Sequence, residues 1–205
     1  MIRQPGSDEF ASVCPLLYQS GPQVFNWFFA GKSSEEVCRY LEILYNSPDN
    51  AFSKELIWVD EYNKDIRGAI LGLPGKDKHR LDKNIGKQGK NIGKIAGFRK
   101  TIIMIFHGSI EKYLSVTEDD EYYIGNLAVK TEHRSKNIGP ALLDRISSVA
   151  DSIGYKKLSL LVKSDNDHAR HVYEKYGFKT AINIELPAKY HKHGLISFCK
   201  LVKKI

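Results

Sequence analysis

The basic turn at residues 134–139 is the part of this 205-residue chain best suited to binding an anion. Arg134 and Lys136 carry positive charge, and Pro140 suits the first position of the helix that follows. Backbone N–H groups at a helix N-terminus have no partner within the helix and are partly positive. The turn therefore predicts a phosphate or pyrophosphate site.

A tyrosine follows this turn at a spacing that places it on a second predicted helix. Asn166 is a candidate N-cap of that helix, Ala169 and Tyr173 share one face, and Gly177 ends it before Phe178. Order and spacing together indicate a phosphorylated cofactor beside a catalytic tyrosine. The alternative is that Tyr173 is a core aromatic residue of an amphipathic helix.

Several strands and helices must position these residues. Aromatic and β-branched residues predict strands at 122–129, 157–162, 178–184 and 195–202. Gly125 indicates a bulge or a close backbone approach in the first of these. Upstream, the patterns predict a short strand at 1–3, a helix after the capping box Ser33-x-x-Glu36, and a hairpin over 56–73.

Residues 120–185 resemble the GNAT superfamily of N-acetyltransferases. The family signature Arg/Gln-x-x-Gly-x-Gly/Ala corresponds to Arg134-x-x-Asn137-x-Gly139, and Asn-x-x-Ala-x-x-x-Tyr corresponds to Asn166, Ala169 and Tyr173. The resemblance implies a mixed, mainly antiparallel sheet flanked by helices, an α/β (α+β) fold. It also implies acetyl-CoA as the acetyl donor and no metal.

The resemblance implies a role for each matched residue. Tyr173 would be the general acid, and Glu121, at the start of the central strand, would be the base, with His107 and Glu118 in reserve. The Leu127 N–H would polarise the thioester carbonyl. The cofactor-binding residues would be Leu127, Ala128, Val129, Arg134, Ser135, Lys136, Asn137, Ile138, Gly139, Pro140, Asn166, Ala169 and Tyr173.

Two positions depart from the family pattern. Asn137 replaces a glycine, but asparagine is the non-glycine residue that best tolerates a positive φ. Pro140 removes one backbone N–H that relatives can direct at the cofactor. We expect both changes to be compatible with binding.

Composition excludes several classes of protein. The chain is 42% hydrophobic, enough for a core, and its longest apolar run is too short to span a bilayer. Cys14, Cys38 and Cys199 are odd in number and widely spaced, which argues against a disulfide framework or a structural zinc site and favours a reducing compartment. No signal peptide is visible, so we expect a cytoplasmic protein without a membrane partner.

The net charge of +7 is concentrated in residues 75–100, which contain nine Lys or Arg and two Asp. Within this stretch Lys-Asn-Ile-Gly occurs at Lys83 and again at Lys90, and we interpret both copies as a flexible basic loop. A long amphipathic helix is predicted from Ile95 to Tyr113. Loop and helix together form an insertion at 74–120 within a single domain spanning 1–205.

The resemblance implies acetyl transfer from acetyl-CoA to a primary amine, with a small molecule as the preferred acceptor. A protein N-terminal or lysine acceptor is one alternative. A second is a non-catalytic module that binds nucleic acid or an acidic partner through its basic loop, although the aromatic residues that stack bases are missing there. The sequence leaves the oligomeric state undecided, and a homodimer is one of the states that it allows.

Overall fold

A computed structural model describes all residues, 1–205. Its elements in chain order are seven strands and nine α-helices: β1 (Ile2–Arg3), α1 (Phe10–Gln19), α2 (Pro22–Phe28), α3 (Ser34–Tyr45), β2 (Ile57–Tyr62), β3 (Asp65–Pro74), α4 (Gly75–Ile85), α5 (Gly89–Ala96), α6 (Phe98–His107), α7 (Glu111–Leu114), β4 (Glu121–Val129), α8 (Ile138–Ser152), β5 (Lys157–Lys163), α9 (Asp167–Lys175), β6 (Lys179–Glu185) and β7 (Ser197–Lys204).

The strands form one seven-stranded sheet in the order β1-β2-β3-β4-β5-β7-β6. Only β4 and β5 run parallel, and every other neighbouring pair is antiparallel. The predicted mixed, mainly antiparallel sheet flanked by helices is therefore confirmed. The predicted first strand, the hairpin and the later strands are also present, with ends shifted by a few residues.

The bulge predicted at Gly125 is present in β4. Leu71 pairs with Asn126 and Gly72 with Ile124, so Gly125 has no partner on β3. The extra residue reverses the alternation of side chains. Tyr123 and Ala128 consequently pack on the side of the sheet covered by α1 to α3, whereas Ile124 and Leu127 pack on the opposite side under α8.

The prediction of a flexible basic loop was wrong. Residues 75–96 form α4, a single 3-10 turn and α5, because apolar residues recur at helical spacing within the basic sequence. Leu81 and Ile92 are buried against the core below α1 and α3. Asn84 is also buried, and its amide donates to the Asp49 carbonyl oxygen over 2.9 Å. Most lysines of this segment are exposed, among them Lys83, Lys87, Lys90 and Lys94.

The predicted long helix over 95–113 is divided into shorter helices. Gly97, at a φ of 77°, separates α5 from α6, since a left-handed residue cannot continue an α-helix. A 3-10 turn at Gly108–Ile110 then separates α6 from α7. Helix α4 packs against β3 and β4, and α6 packs beside α2. Of these helices, α4 and α7 contribute side chains to the groove described below.

The expectation of no disulfide was also wrong. Cys14 of α1 and Cys38 of α3 are bonded, with their Cα atoms 6.0 Å apart, and Cys199 is free and buried. Wide sequence spacing did not reveal the pair because the packing of α1 against α3 brings the two cysteines together. The cysteines therefore give no support for a reducing compartment. No helix has both the length and the hydropathy of a membrane span.

Candidate active site

The site is a groove that opens where β4 and β5 separate. The two strands pair from Glu121 with Lys157 to Ile124 with Leu160 and no further. Beyond that point β4 continues along β3 while β5 continues along β7. Both separated ends line a groove of about 1280 Å³, which extends from α8 and α9 on one side to α2, α4 and α7 on the other.

The backbone of β4 presents hydrogen-bond donors to this gap. Lys130 donates its N–H to the Arg67 carbonyl oxygen on the β3 side over 2.8 Å. Because successive residues of a strand direct their N–H groups to opposite edges, the N–H groups of Leu127 and Val129 face the side from which β5 has separated. An extended ligand arm in the gap could form hydrogen bonds with this edge of β4, as β5 does over residues 121–124.

The predicted anion-binding turn lies at the edge of the same groove. Arg134, Ser135, Asn137, Ile138 and Gly139 line it, and the exposed Arg134 guanidinium makes no ion pair or hydrogen bond within the protein. Asn137 has a φ of 60° and is the residue before α8, as its tolerance of the left-handed region predicts. No hydrogen bond within the chain uses the N–H groups of residues 135–139.

Two residues of the turn differ in place from the prediction. Lys136 does not line the groove, and its ammonium lies 3.2 Å from Nδ1 of His133, whose Nε2 lies 3.0 Å from the Asp65 carboxylate. Pro140 lines the groove but is the third residue of α8 rather than its first, since the helix begins at Ile138. A proline in the first turn still costs no intrahelical hydrogen bond.

Tyr173 of α9 also lines the groove. It is half-buried, its ring meets that of Phe178 edge-on with centroids 5.7 Å apart, and its hydroxyl makes no hydrogen bond within the protein. Burial raises the pKa of Tyr173 far above its usual range, and the nearby Tyr123 adds to the effect. The phenol therefore holds its proton throughout the neutral range.

The beginning of α9 places two further predicted residues in the groove. Asn166 is the N-cap of the helix and its side-chain oxygen accepts from the Ala169 N–H over 3.1 Å. Both residues line the groove. The cap fixes the start of the helix and with it the position of Tyr173 two turns later.

Glu121, the predicted base, is not in the groove. Its side chain is 2% exposed and its carboxylate lies 2.8 Å from the ammonium of Lys200, which is also buried. The other carboxylate oxygen accepts from the Glu118 N–H over 2.9 Å. Both carboxylate oxygens of Glu121 are therefore engaged within the protein, which indicates a structural role rather than the predicted role as base. Lys200 on β7 was missed because its partner is distant in sequence.

The two reserve bases also lie outside the groove. His107 stacks on Trp27 with ring centroids 3.7 Å apart, and its Nδ1 lies 2.5 Å from the Trp27 carbonyl oxygen. Glu118 is exposed near Lys157 and Lys200. Neither residue lines the cavity. Of the predicted catalytic pair, the structure brings only Tyr173 to the cofactor-binding residues.

A cluster of ionisable side chains that sequence reasoning missed lies on the other half of the groove. Lys78 of α4 lies over the Tyr123 ring, 5.2 Å from its centroid, and its ammonium is 2.5 Å from the Asp82 carboxylate. Glu111 of α7 lines the same wall. Burial tends to lower the pKa of Lys78, but Tyr123, Asp82 and Glu111 outweigh it and raise that pKa overall.

The groove has the features that acetyl-CoA requires. Unpartnered N–H groups and the Arg134 guanidinium at the start of α8 suit a diphosphate. The bulged, separated end of β4 offers an edge to an extended amide-containing arm. In the structure, no group of three or more His, Cys, Asp or Glu side chains is arranged to hold a metal ion.

Comparison with known proteins identifies a family for the chain. The family model for the acetyltransferase (GNAT) family matches residues 22–178. An N-acetyltransferase from Staphylococcus aureus Mu50 is 22% identical with a TM-score of 0.69, over 98% of this chain and 99% of that chain. Polyamine N-acetyltransferase from Drosophila melanogaster is 15% identical with a TM-score of 0.63, over 100% of this chain and 99% of that chain.

A third solved structure contains coenzyme A. It is the PaiA N-acetyltransferase from Thermoplasma acidophilum, 16% identical with a TM-score of 0.54, over 100% of this chain and 98% of that chain. At such identities these likenesses show the fold alone, and no curated protein matches the sequence. Since the family model covers well over half of its length, the chain belongs to the GNAT family of acetyltransferases, which use acetyl-CoA.

Proposed function

We propose that this protein transfers an acetyl group from acetyl-CoA to a primary amine of a small molecule. The observation that carries the proposal is that one groove joins two different halves at the end of the β4–β5 pairing. One half has unpartnered backbone N–H groups and a free arginine. The other has acidic and aromatic side chains.

The first half would bind and orient the donor. The N–H groups of residues 135–139 and the Arg134 guanidinium would hold the diphosphate at the start of α8. Asn166, Ala169 and the edge of β4 would line the arm that leads into the gap. Acetyl-CoA supplies the activated thioester. The Leu127 N–H, facing the gap, is placed to donate to its carbonyl oxygen, a contribution worth about 3 kcal/mol.

Tyr173 would supply a proton to the departing sulfur. Its hydroxyl has no partner within the protein, and its raised pKa keeps it protonated at neutral pH. The neutral amine attacks the thioester carbon, the carbon–nitrogen bond forms and the carbon–sulfur bond breaks, and the phenol gives its proton to the departing sulfur. The proton that the nitrogen loses passes through water and restores the phenol. The core-aromatic alternative explains the contact with Phe178 but not the free hydroxyl.

The second half favours a small acceptor over a protein. Helices α4 and α7 add Lys78, Asp82 and Glu111 to the acceptor wall, and α2 adds Phe25 and Phe28. Glu121, which suited protein N-terminal acetylation in the sequence, is committed to Lys200. A polyamine acetyltransferase among the structural relatives is consistent with a small amine.

An acetylation assay tests the proposal. Purified protein, acetyl-CoA and a panel of small amines are incubated, and both the released thiol and the mass of the product are measured. We expect a product heavier by one acetyl group, formed in step with the thiol. The same assay is repeated with peptides that have a free N-terminus. If no small amine is acetylated while peptide N-termini are, the acceptor is a protein rather than a small molecule.

A further inference from the structure

We propose that Glu111 binds a second positive charge on the acceptor, separate from the amine that reacts. The preferred acceptor is then a molecule with two amines joined by an apolar segment. This inference rests on the proposed function and adds to it the class of acceptor and the residue that selects it.

Glu111 is the carboxylate in the groove that lacks a partner. Asp82 and Glu111 are the acidic residues of the lining, and Asp82 is paired with Lys78. Glu111 is half-buried, and no hydrogen bond or ion pair within the chain uses its side chain. The Lys78–Asp82 pair is neutral, so this wall carries one uncompensated negative charge. A cation entering the groove would compensate it.

Glu111 is also removed from the place of reaction. Lys78 lies over the Tyr123 ring, and Glu111 is among the charged groups that act on Lys78. On β4, Tyr123 precedes Leu127, whose N–H faces the thioester in the proposed function, by roughly 10 Å along the strand. Tyr123 also packs on the side of the sheet covered by α1 to α3, whereas Leu127 packs on the opposite side. We therefore expect an amine bound at Glu111 to be different from the amine beside the thioester.

The wall between these two places is apolar and aromatic. Phe25, Phe28, Phe52 and Leu73 line this half of the groove, with the Tyr123 ring beside them. Aromatic faces favour both methylene groups and cations. Such a wall suits an alkyl segment, which holds two amines apart at its ends. A single-amine acceptor would fill the aromatic part and leave Glu111 uncompensated.

Diamines and monoamines of equal chain length distinguish the contribution of the second positive charge from that of the reacting amine. We would measure kcat and KM for 1,4-diaminobutane and 1,6-diaminohexane, each against the monoamine of the same chain length, in the wild type and in Glu111→Gln. The control is Glu42→Gln, because Glu42 is an exposed glutamate of α3 without an ion pair. The proposal predicts that the wild type prefers at least one diamine by roughly tenfold in kcat/KM.

In Glu111→Gln we expect that preference to disappear, because KM rises more for the diamine than for the monoamine of the same chain length. Glu42→Gln should match the wild type. Unchanged diamine preference in Glu111→Gln would overturn the proposal. An equal loss of kcat for monoamine and diamine would also overturn it, since Glu111 would then act on the reacting amine.

A binding measurement keeps this proposal distinct from the proposed function. The same diamines are titrated calorimetrically into the wild type and Glu111→Gln, each saturated with CoA. If no amine is acetylated, the proposed function fails, yet binding of a diamine that weakens roughly tenfold in Glu111→Gln would still support the charge site. Absence of diamine binding to the wild type would overturn it.

Discussion

Ile124 of β4 pairs with Leu160 of β5, and no residue beyond this pair joins the two parallel strands. The bulge at Gly125 follows immediately on β4. The residues proposed to bind the donor lie beyond this point, on the far end of β4, in the turn that leads into α8 and at the start of α9. In the proposed function, the separation of the two strands determines where the donor binds.

Replacing Tyr173 by phenylalanine should lower kcat about 100-fold if its hydroxyl is the proton donor. Affinity for acetyl-CoA should change little, because the ring and its contact with Phe178 remain. Steady-state kinetics and calorimetry check both expectations. Tyr62→Phe is the matched control, since Tyr62 is 60% exposed on the β2–β3 hairpin. Equal kcat in Tyr173→Phe and the wild type would exclude the role.

The pH dependence of the wild type gives a second test of Tyr173. Burial raises its pKa above the ordinary phenol value of about 10, so the required protonated form persists through neutral and mildly alkaline pH. We therefore expect kcat to show no descending limb below about pH 10. A descending limb near pH 8 that disappears in Tyr173→Phe would contradict the raised pKa.

Glu121 should matter for stability rather than for chemistry. Glu121→Gln leaves the ammonium of Lys200 buried without its counter-charge, which should cost about 3 kcal/mol of unfolding free energy. Urea unfolding measures this, and adding Lys200→Met should recover much of the loss because no unpaired charge remains. If Glu121→Gln kept the unfolding free energy of the wild type but lost most of its kcat, Glu121 would be the base after all.

The disulfide between Cys14 and Cys38 should stabilise the contact of α1 with α3. It joins residues 24 apart in sequence, a loop for which chain entropy predicts about 3 kcal/mol. Unfolding with and without dithiothreitol should show a loss of this order, and Cys38→Ser should unfold identically in both conditions. Cys199→Ser serves as the control because Cys199 is free. No effect of the reductant on the wild type would show that the bond contributes nothing.

Asn137 tests the geometry of the anion-binding turn. Its φ of 60° costs an ordinary side chain about 1 kcal/mol or more, whereas glycine is free of that cost. Asn137→Ala should therefore be less stable than the wild type and bind acetyl-CoA more weakly. Asn137→Gly should bind at least as well as the wild type. Equal affinity in all three proteins would mean that the turn does not hold the diphosphate.

Local patterns predicted those parts of the fold that depend on local residues. The capping box at Ser33, whose Oγ accepts from the Glu36 N–H over 3.2 Å, the bulge at Gly125 and the left-handed Asn137 all follow from single residues and their neighbours. The family resemblance then identified the donor half of the groove, because its residues lie in consecutive elements.

Features that depend on distant contacts were not predictable in this way. Glu121 on β4 and Lys200 on β7 lie on either side of β5, so only the order of the strands in the sheet brings their side chains together. Cys14 and Cys38 are brought together by the packing of α1 on α3. The helices at 75–96 were missed because their charge and glycines concealed a few buried positions such as Leu81 and Ile92. Glu111 was missed for the same reason, as only folding brings α7 to the groove.

Calorimetric titration with acetyl-CoA tests the central claim most directly. The wild type should bind with a dissociation constant in the micromolar range. Arg134→Glu combined with Gly139→Asp should abolish measurable binding, because both changes add negative charge beside the unpartnered N–H groups of the turn. Arg99→Glu, at an exposed position outside the groove, should bind like the wild type. Absence of binding to the wild type, or equal binding to the double variant, would contradict the claim that this groove is the donor site.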